Sequence, residues 1–197
     1  MAISKIFLEI FCVYILPVIL IFLGVLPFEY RFVYLVIICT VTIFFSRMKG
    51  YSSESLGLGV TSLSAGFRYN FYLSLIFVGF FFASWYFDLI GREYIPQSIF
   101  FYLFYVFISC PLQEFTYRSY FFRLLDDLKI KKPAIRITLN ALAFCFLHAI
   151  YGDLLTLVFT LFIGLVWAFI YQKTKCVYGV CLSHIVFGTI SIAAGLV

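Results

Sequence analysis

Charged residues are scarce in this sequence, and their scarcity excludes an ordinary water-soluble domain. Only 12% of the 197 residues are charged and 64% are hydrophobic, whereas an average soluble domain is about 25% charged. A soluble chain of this size could not hide so much apolar surface, so lipid must be the solvent for much of it. The 27 Phe and 15 Tyr suit lipid-facing and interfacial positions.

Recognisable metal-binding patterns are also missing. The six cysteines are Cys12, Cys39, Cys110, Cys145, Cys176 and Cys181. Nearly all lie inside apolar runs and no pair has convincing metal-ligand spacing, so we interpret them as small buried hydrophobic residues. No cofactor is expected. The formal net charge of +5 is no sign of a nucleic-acid partner here, because the basic residues follow a membrane topology.

We interpret about seven apolar runs as membrane helices, which need about 20 mostly apolar residues. They are 6–26, 31–46, 70–89, 97–124, 134–151, 153–172 and 176–195. The second run is short and the fourth is long, and six or eight spans remain alternatives. No internal repeat, low-complexity tract or second domain interrupts them. The sequence therefore predicts an all-α, polytopic helix bundle that forms one integral membrane domain over residues 1–197.

The basic residues fall mainly on one side of these spans. Eleven of the 14 Lys and Arg residues lie at the N-terminus or in the second, fourth and sixth connections. They are Lys5, Arg47, Lys49, Arg68, Arg123, Lys129, Lys131, Lys132, Arg136, Lys173 and Lys175. Arg31 and Arg92 lie on the other side, and Arg118 lies inside a span. The positive-inside rule then places the N-terminus in the cytoplasm.

Few strongly polar side chains remain inside the predicted spans. They are Gln113, Glu114, Arg118, Asn140, His148 and His184. Ionisable groups at membrane depth are costly and usually face the bundle interior, so they are functional-site candidates by default. The two histidines are the only ones in the chain, and both lie in spans.

Helical spacing and depth allow some of these side chains to meet. Glu114 and Arg118 are four residues apart and share a helix face, as do Phe144 and His148. At about 1.5 Å per residue, Glu114 lies about 16 Å from the cytoplasmic end of its helix. The same count gives about 22 Å for His148 and about 12 Å for His184. We therefore expect the carboxylate and both imidazoles to converge near the membrane midplane.

A carboxylate with two imidazoles has two chemical interpretations. In one, the carboxylate is a general base that takes a proton from water, while one histidine orients the water and the other stabilises the oxyanion. In the other, the three groups bind a divalent metal such as zinc. The zinc-protease signature HExxH is absent, which disfavours the metal.

Three motifs in order resemble the CAAX protease and bacteriocin-processing family, also called the Abi family. The matching stretches are Gln113-Glu114-Phe-Thr-Tyr-Arg118, Phe144-Cys-Phe-Leu-His148 and His184-Ile-Val-Phe-Gly188. The family pattern is Glu-Glu-x-x-x-Arg, then Phe-x-x-x-His, then His-x-x-x-Asn/Asp. The resemblance covers residues 97–195. It implies a metal-independent, glutamate-dependent intramembrane protease similar to the type II CAAX prenyl endopeptidase.

The chain departs from the family pattern at two positions. The family's first glutamate is taken as the catalytic base, and Gln113 occupies that position; its carboxamide can hold a water but not deprotonate it. Three explanations stay open: a change made to stop turnover, a natural inactive relative, or Glu114 as base on a shifted helix. Gly188 replaces the Asn or Asp that assists the oxyanion, and Asn140 is a possible substitute or a core hydrogen-bonding residue.

The favoured hypothesis is a glutamic-type intramembrane endopeptidase. Residue 113 holds the base position, His148 positions the water, His184 supports the oxyanion and Glu114–Arg118 is a structural pair. By resemblance the substrate is a membrane-anchored peptide or protein segment, such as a CAAX-like end, a leader peptide or a C-terminal sorting signal. The small size and the absence of eukaryotic extensions favour a bacterial plasma membrane.

Three other functions remain alternatives. A non-catalytic membrane protein on the same scaffold, such as an immunity or chaperone-like factor, is favoured by Gln113 and Gly188. A metal-dependent protease would use zinc on the carboxylate and the two imidazoles. A proton-coupled transporter would use Glu114 and the histidines, although the lack of an inverted repeat argues against it.

Overall fold

The computed structural model describes residues 3–60, 62–87 and 97–195, and these form a bundle of seven helical rods. Their bounds are α1 Ile3–Phe22, α2 Phe28–Met48, α3 Leu63–Tyr86, α4 Ile99–Asp127, α5 Pro133–Tyr151, α6 Leu154–Thr174 and α7 Val177–Ala193. The first six are long and apolar enough to cross a membrane, and the 17-residue α7 is apolar but shorter. The prediction of an all-helical polytopic bundle is confirmed. Arg92 and the predicted end of the third span at residue 89 lie outside the described residues.

Helix α4 occupies the centre of the bundle and contacts α1, α2, α5 and α7. Its first two turns expose Ile99, Phe100 and Leu103, whereas nearly every side chain between Cys110 and Leu125 is buried or partly buried. The remaining helices pack in pairs, α5 along α6 and α3 along α7. The segment with the predicted motif is therefore the most enclosed part of the molecule.

Two segments of α4 are π-helical turns, Tyr105–Ser109 and Phe115–Tyr120, and they flank Cys110–Glu114. A π turn accommodates one extra residue, so everything beyond it is rotated by about 100° relative to a regular α-helix. Residues after Ser109 therefore do not face the directions that an ideal helix from Ile99 would give them. Wide turns of this kind often occur at functional sites.

Helix α3 begins at Leu63, seven residues before the predicted start at residue 70. The reason is close packing between small residues of α3 and α7. A side chain at Gly66 would overlap Cys176, and a Cβ at Gly179 would lie 2.5 Å from the Gly66 carbonyl oxygen. The glycine and serine content that resembles a loop in the sequence instead permits a close helix crossing.

Candidate active site

Glu114 is completely buried on α4 and is the carboxylate around which the predicted site residues gather. Its Oε1 lies 2.7 Å from His184 Nδ1 on α7. Its Oε2 lies 3.2 Å from Arg118 Nε, also fully buried. The second contact is an ion pair without hydrogen-bond alignment, because within the described chain neither Glu114 Oε2 nor Arg118 Nε has a hydrogen-bond partner.

Arg118 is held in place from the side opposite Glu114. Its Nη1 donates to Asn140 Oδ1 on α5, and the Asn140 amide donates to the carbonyl of Tyr117. The guanidinium carbon lies 4.7 Å from the ring centroid of Phe144 and 5.8 Å from that of Trp167. Cation–π contacts of this kind partly compensate for the lost hydration of a buried cation.

His184 has its Nδ1 committed to Glu114, and this fixes the chemistry of the ring. A carboxylate can only accept, so Nδ1 carries the hydrogen and Nε2 is left with a lone pair when the ring is neutral. Trp167 lies against the imidazole with ring centroids 4.7 Å apart and planes 32° apart, and Phe144 meets it edge-on at 5.7 Å. These aromatic rings hold the orientation of His184.

His148 reaches the site through Phe144 rather than by a contact with the carboxylate. Its Nδ1 lies 2.9 Å from the Phe144 carbonyl oxygen, which can only accept, so this nitrogen also carries the hydrogen. Its ring packs on that of Phe144 at 4.7 Å, and Phe144 also contacts His184. The two histidines therefore stand on either side of one phenylalanine.

Gln113 is 6% exposed, and its amide points along its own helix. Its Nε2 donates to Ser109 Oγ at 2.9 Å, one turn earlier on α4. Glu114, not residue 113, is thus the residue that meets His184. The π turn at Tyr105–Ser109 accounts for this, because it rotates the later residues by about one position.

Gly188 lies one turn beyond His184, and its missing side chain leaves a space that Tyr105 fills. A Cβ at Gly188 would overlap the Tyr105 hydroxyl and ring. The Tyr105 ring is 8% exposed and lies edge-on to His184 at 6.2 Å. Asn140, the substitute considered from the sequence, directs its amide to Arg118 and Tyr117 instead.

Sequence reasoning did not identify Tyr105 and Trp167, although a signal for both was present. Trp and Tyr are enriched at the two membrane interfaces, and both residues lie well inside their spans. A Trp or Tyr inside a span must place its polar group away from water, as a lone polar residue must, so its position there is unusual. Each sits against His184 in the folded chain.

A cavity of about 590 Å³ lies beside the site segment. Its walls come from α2, the connection between α2 and α3, the middle of α4 and the start of α7. The lining includes Arg47, Tyr51, Pro111, Phe115, Tyr178 and Cys181. Pro111 and Phe115 are neighbours of Glu114 on α4, and Cys181 is one turn before His184, so the cavity lies next to the site, although neither Glu114 nor His184 lines it.

The described parts of the chain contain no group of side chains that could bind a metal ion. No three His, Cys, Asp or Glu side chains there lie close enough to hold one ion. The carboxylate of Glu114 is already shared between Arg118 and His184.

The comparison with protein-family models gives a match, mainly in the second half of the chain. Residues 94–190 match the model described as type II CAAX prenyl endopeptidase Rce1-like. No curated protein and no solved structure gives a match. The matched residues include Glu114, Arg118, His148, His184 and Gly188, so the resemblance inferred from the three motifs is confirmed. Over residues 94–190, just under half of its length, the chain is therefore similar to the Rce1-like type II CAAX prenyl endopeptidases.

Proposed function

We propose that this protein is an intramembrane endopeptidase that hydrolyses a peptide bond in a membrane-anchored peptide or protein segment. The 2.7 Å hydrogen bond between Glu114 Oε1 and His184 Nδ1 carries the proposal. A carboxylate bound to Nδ1–H holds the imidazole in one tautomer and leaves Nε2 ready to accept a proton, as in hydrolases that use histidine as a base. The similarity of residues 94–190 to a peptidase family supports peptide hydrolysis as the reaction.

In this mechanism His184 Nε2 removes a proton from a water molecule while the water oxygen attacks the scissile carbonyl. Glu114 stabilises the imidazolium that forms, and Arg118 keeps the carboxylate ionised. The imidazolium then gives its proton to the leaving amine as the C–N bond breaks. The products are one new carboxyl terminus and one new amino terminus, and His184 returns to its starting state.

Gln113 and His148 have supporting roles in the same reaction. A carboxamide cannot act as the base, but its N–H group can donate to the attacked carbonyl oxygen or hold the water. We assign to His148 the orientation of the water, through the Nε2 that its bond to Phe144 leaves unprotonated. The sequence-based role of His184 in stabilising the oxyanion is replaced here, because its Nδ1 is engaged by Glu114.

The π turn before Cys110 supports this use of Glu114. The sequence leaves three explanations for Gln113, and one of them requires a shifted helix that brings Glu114 into the site. A π turn at Tyr105–Ser109 gives a shift of about one residue. The enzyme can then work with glutamine at position 113, with the carboxylate acting through His184.

The cavity beside α4 and α7 supports access for a peptide from the cytoplasmic side. Its lining is mostly apolar, with Arg47 and tyrosine hydroxyls at the polar positions. An apolar, lipid-anchored chain end fits such a lining better than a charged soluble peptide does. We propose a CAAX-like end, a leader peptide or a C-terminal sorting signal as the substrate class, and a bacterial plasma membrane as the location.

The test is a cleavage assay in lipid vesicles with lipidated peptides of these three types, followed by mass spectrometry. We expect the unchanged chain to cut one of them, and Glu114→Gln and His184→Ala to lose the activity. A zinc chelator is expected to leave the rate unchanged. If only Gln113→Glu cleaves, the protein is an endopeptidase but the base is residue 113. If neither version cleaves, the proposed function is wrong.

A non-catalytic role is the second candidate, and Gln113 is the observation that favours it. Its amide is bonded to Ser109 within its own helix rather than to either histidine. A scaffold or immunity protein would bind the membrane-anchored segment and leave it intact. Vesicle binding of the same peptides without cleavage by the unchanged chain or by Gln113→Glu would support this role.

A further inference from the structure

Tyr105 stands out because its hydroxyl occupies the place where the backbone of α7 carries no side chain. Gly188 presents only hydrogen at this point, and an added Cβ would overlap the phenol oxygen and its ring carbons. The phenol is therefore pressed against α7 one turn beyond His184. Any larger residue at position 188 would require Tyr105 to move.

The surroundings keep the Tyr105 ring in this position. Phe101 stacks on it one turn earlier with planes 19° apart, and His184 lies at its edge. The π turn that begins at Tyr105 sets its direction independently of the following helix. The side chain is 8% exposed, so its hydroxyl lies inside the bundle.

The hydroxyl is a hydrogen-bond donor close to the proposed base. A phenol O–H donates one hydrogen bond, and its ring-edge contact with His184 puts it on the same side of the site as the proposed base. The thiol of Cys110 lies beside it, and a thiol is only a weak hydrogen-bond partner. A substrate carbonyl oxygen would be a stronger acceptor, especially when it becomes an oxyanion.

We propose that Tyr105 is a catalytic residue whose hydroxyl donates a hydrogen bond to the oxyanion of the tetrahedral intermediate, from the space that Gly188 leaves open. This inference rests on the proposed endopeptidase function. Water adds to the scissile carbonyl, the carbonyl oxygen takes the negative charge, and Tyr105 keeps its proton throughout. When the C–N bond breaks, the carbonyl re-forms and the hydrogen bond weakens.

The experiment measures kcat and KM of Tyr105→Phe in the version of the chain that cleaves, with glutamine or glutamate at position 113. Removing one oxyanion donor typically lowers kcat by about 10²–10³-fold, and we expect a loss of this size with KM almost unchanged. Tyr72→Phe is the matched control, because Tyr72 is 59% exposed on α3 and lies outside the site. A kcat for Tyr105→Phe equal to that of the control would overturn the assignment.

A second variant tests the shared space directly. Tyr105→Ala is expected to lose activity, and Tyr105→Ala with Gly188→Asn is expected to regain part of it, because the new amide can donate from the vacated space. Gly188→Asn alone is expected to lower the melting temperature in detergent, and the double variant to restore it. A double variant that melts normally and is no more active than Tyr105→Ala would overturn the proposal. Absence of cleavage in every version would instead overturn the endopeptidase function itself.

Discussion

Two clusters in this protein are built on a carboxylate, which is fully buried in one and partly buried in the other, and their surroundings give them different capacities. The site cluster is Glu114, Arg118 and His184. The cytoplasmic cluster is Glu9, Lys49 and Tyr120, where α1, α2 and α4 meet near their predicted cytoplasmic ends. Lys49 Nζ lies 2.5 Å from Glu9 and 3.0 Å from the Tyr120 hydroxyl, which itself donates to Glu9.

The difference between the clusters lies in hydration and in unused hydrogen-bonding groups. In the cytoplasmic cluster the Glu9 and Lys49 side chains are 10% and 17% exposed, and every charged atom has a partner or reaches water. In the site cluster both charged side chains are 0% exposed, and Glu114 Oε2, Arg118 Nε and Arg118 Nη2 lack hydrogen-bond partners within the described residues. Leaving such groups unpaired is costly. The cytoplasmic cluster holds α1, α2 and α4 together, whereas the site cluster has hydrogen-bonding atoms left over that could bind a water or a substrate.

The cytoplasmic cluster continues into the connection between α2 and α3. The Tyr51 hydroxyl donates to Asp127, and Arg123 pairs with the same carboxylate group at 3.3 Å. Burial and the bond to Asp127 raise the pKa of Tyr51 above its usual range. These bonds keep the lining of the cavity in place, because Tyr51 is one of its walls.

Removing the cation from the site cluster is expected to have the largest effect. Arg118→Gln leaves the Glu114 carboxylate buried without its ion pair, and breaking a buried pair in this way typically costs about 3–5 kcal/mol. We expect a strong fall in the melting temperature in detergent and no cleavage.

The double variant Glu114→Gln with Arg118→Gln separates stability from catalysis. It removes both charges, so most of the stability should return while cleavage stays absent. If Arg118→Gln melts at the same temperature as the unchanged chain, leaving a charge unpaired costs no more stability in the site cluster than in the cytoplasmic cluster.

A smaller effect is expected when His184 is displaced without removing any charge. Gly179→Ala would place a methyl group 2.5 Å from the Gly66 carbonyl oxygen, and overpacking of this kind costs about 1–3 kcal/mol. Helix α7 must shift, and we expect kcat to fall because Nδ1 moves away from Glu114. Gly79→Ala on α3 is the matched control, since nothing lies within 4 Å of its added Cβ. Equal activity in the two alanine variants would contradict a positional role for this helix crossing.

The smallest effect is expected at the cytoplasmic cluster. Glu9→Gln keeps the hydrogen-bonding shape and removes one charge near water, where an ion pair typically contributes about 1 kcal/mol or less. We expect a small drop in melting temperature that disappears at high salt, with kcat unchanged. A loss of cleavage comparable to that of Glu114→Gln would mean that the two clusters are functionally linked.

Hydropathy was sufficient to predict the helices, because six of the seven in the described residues satisfy a length and composition requirement that does not depend on their neighbours. The predicted start of α3 was wrong by seven residues, because Gly66 and the serines around it suggest a loop. Their helical conformation makes sense only once Gly179 is known to pack against Gly66. The contact between Gly66 and Gly179 determines the structure of this segment, and such a tertiary contact cannot be read from one sequence.

The residues that meet at the candidate site could be named from the sequence, but the contacts between them could not. Glu114, Arg118 and the histidines were predicted as site residues because ionisable groups at membrane depth cost free energy and usually have a function. The contact of Glu114, rather than residue 113, with His184 follows two π turns of α4, and no periodicity rule for a regular helix contains such turns. Tyr105 depends on the same turn, and on a glycine 83 positions later in the chain.

The short length of α7 has a consequence for the lipid around the site. Its 17 residues rise about 25 Å along the helix axis, whereas a bilayer's hydrocarbon core is about 30 Å thick. We expect the membrane beside α7 to become thinner, which is one response to such hydrophobic mismatch and costs a fraction of a kcal/mol per Å. We expect the barrier that a peptide crosses between the aqueous phase and His184 to be lowest along this helix. If the chain cleaves peptides as proposed, cleavage should be slower in thick bilayers than in thin ones.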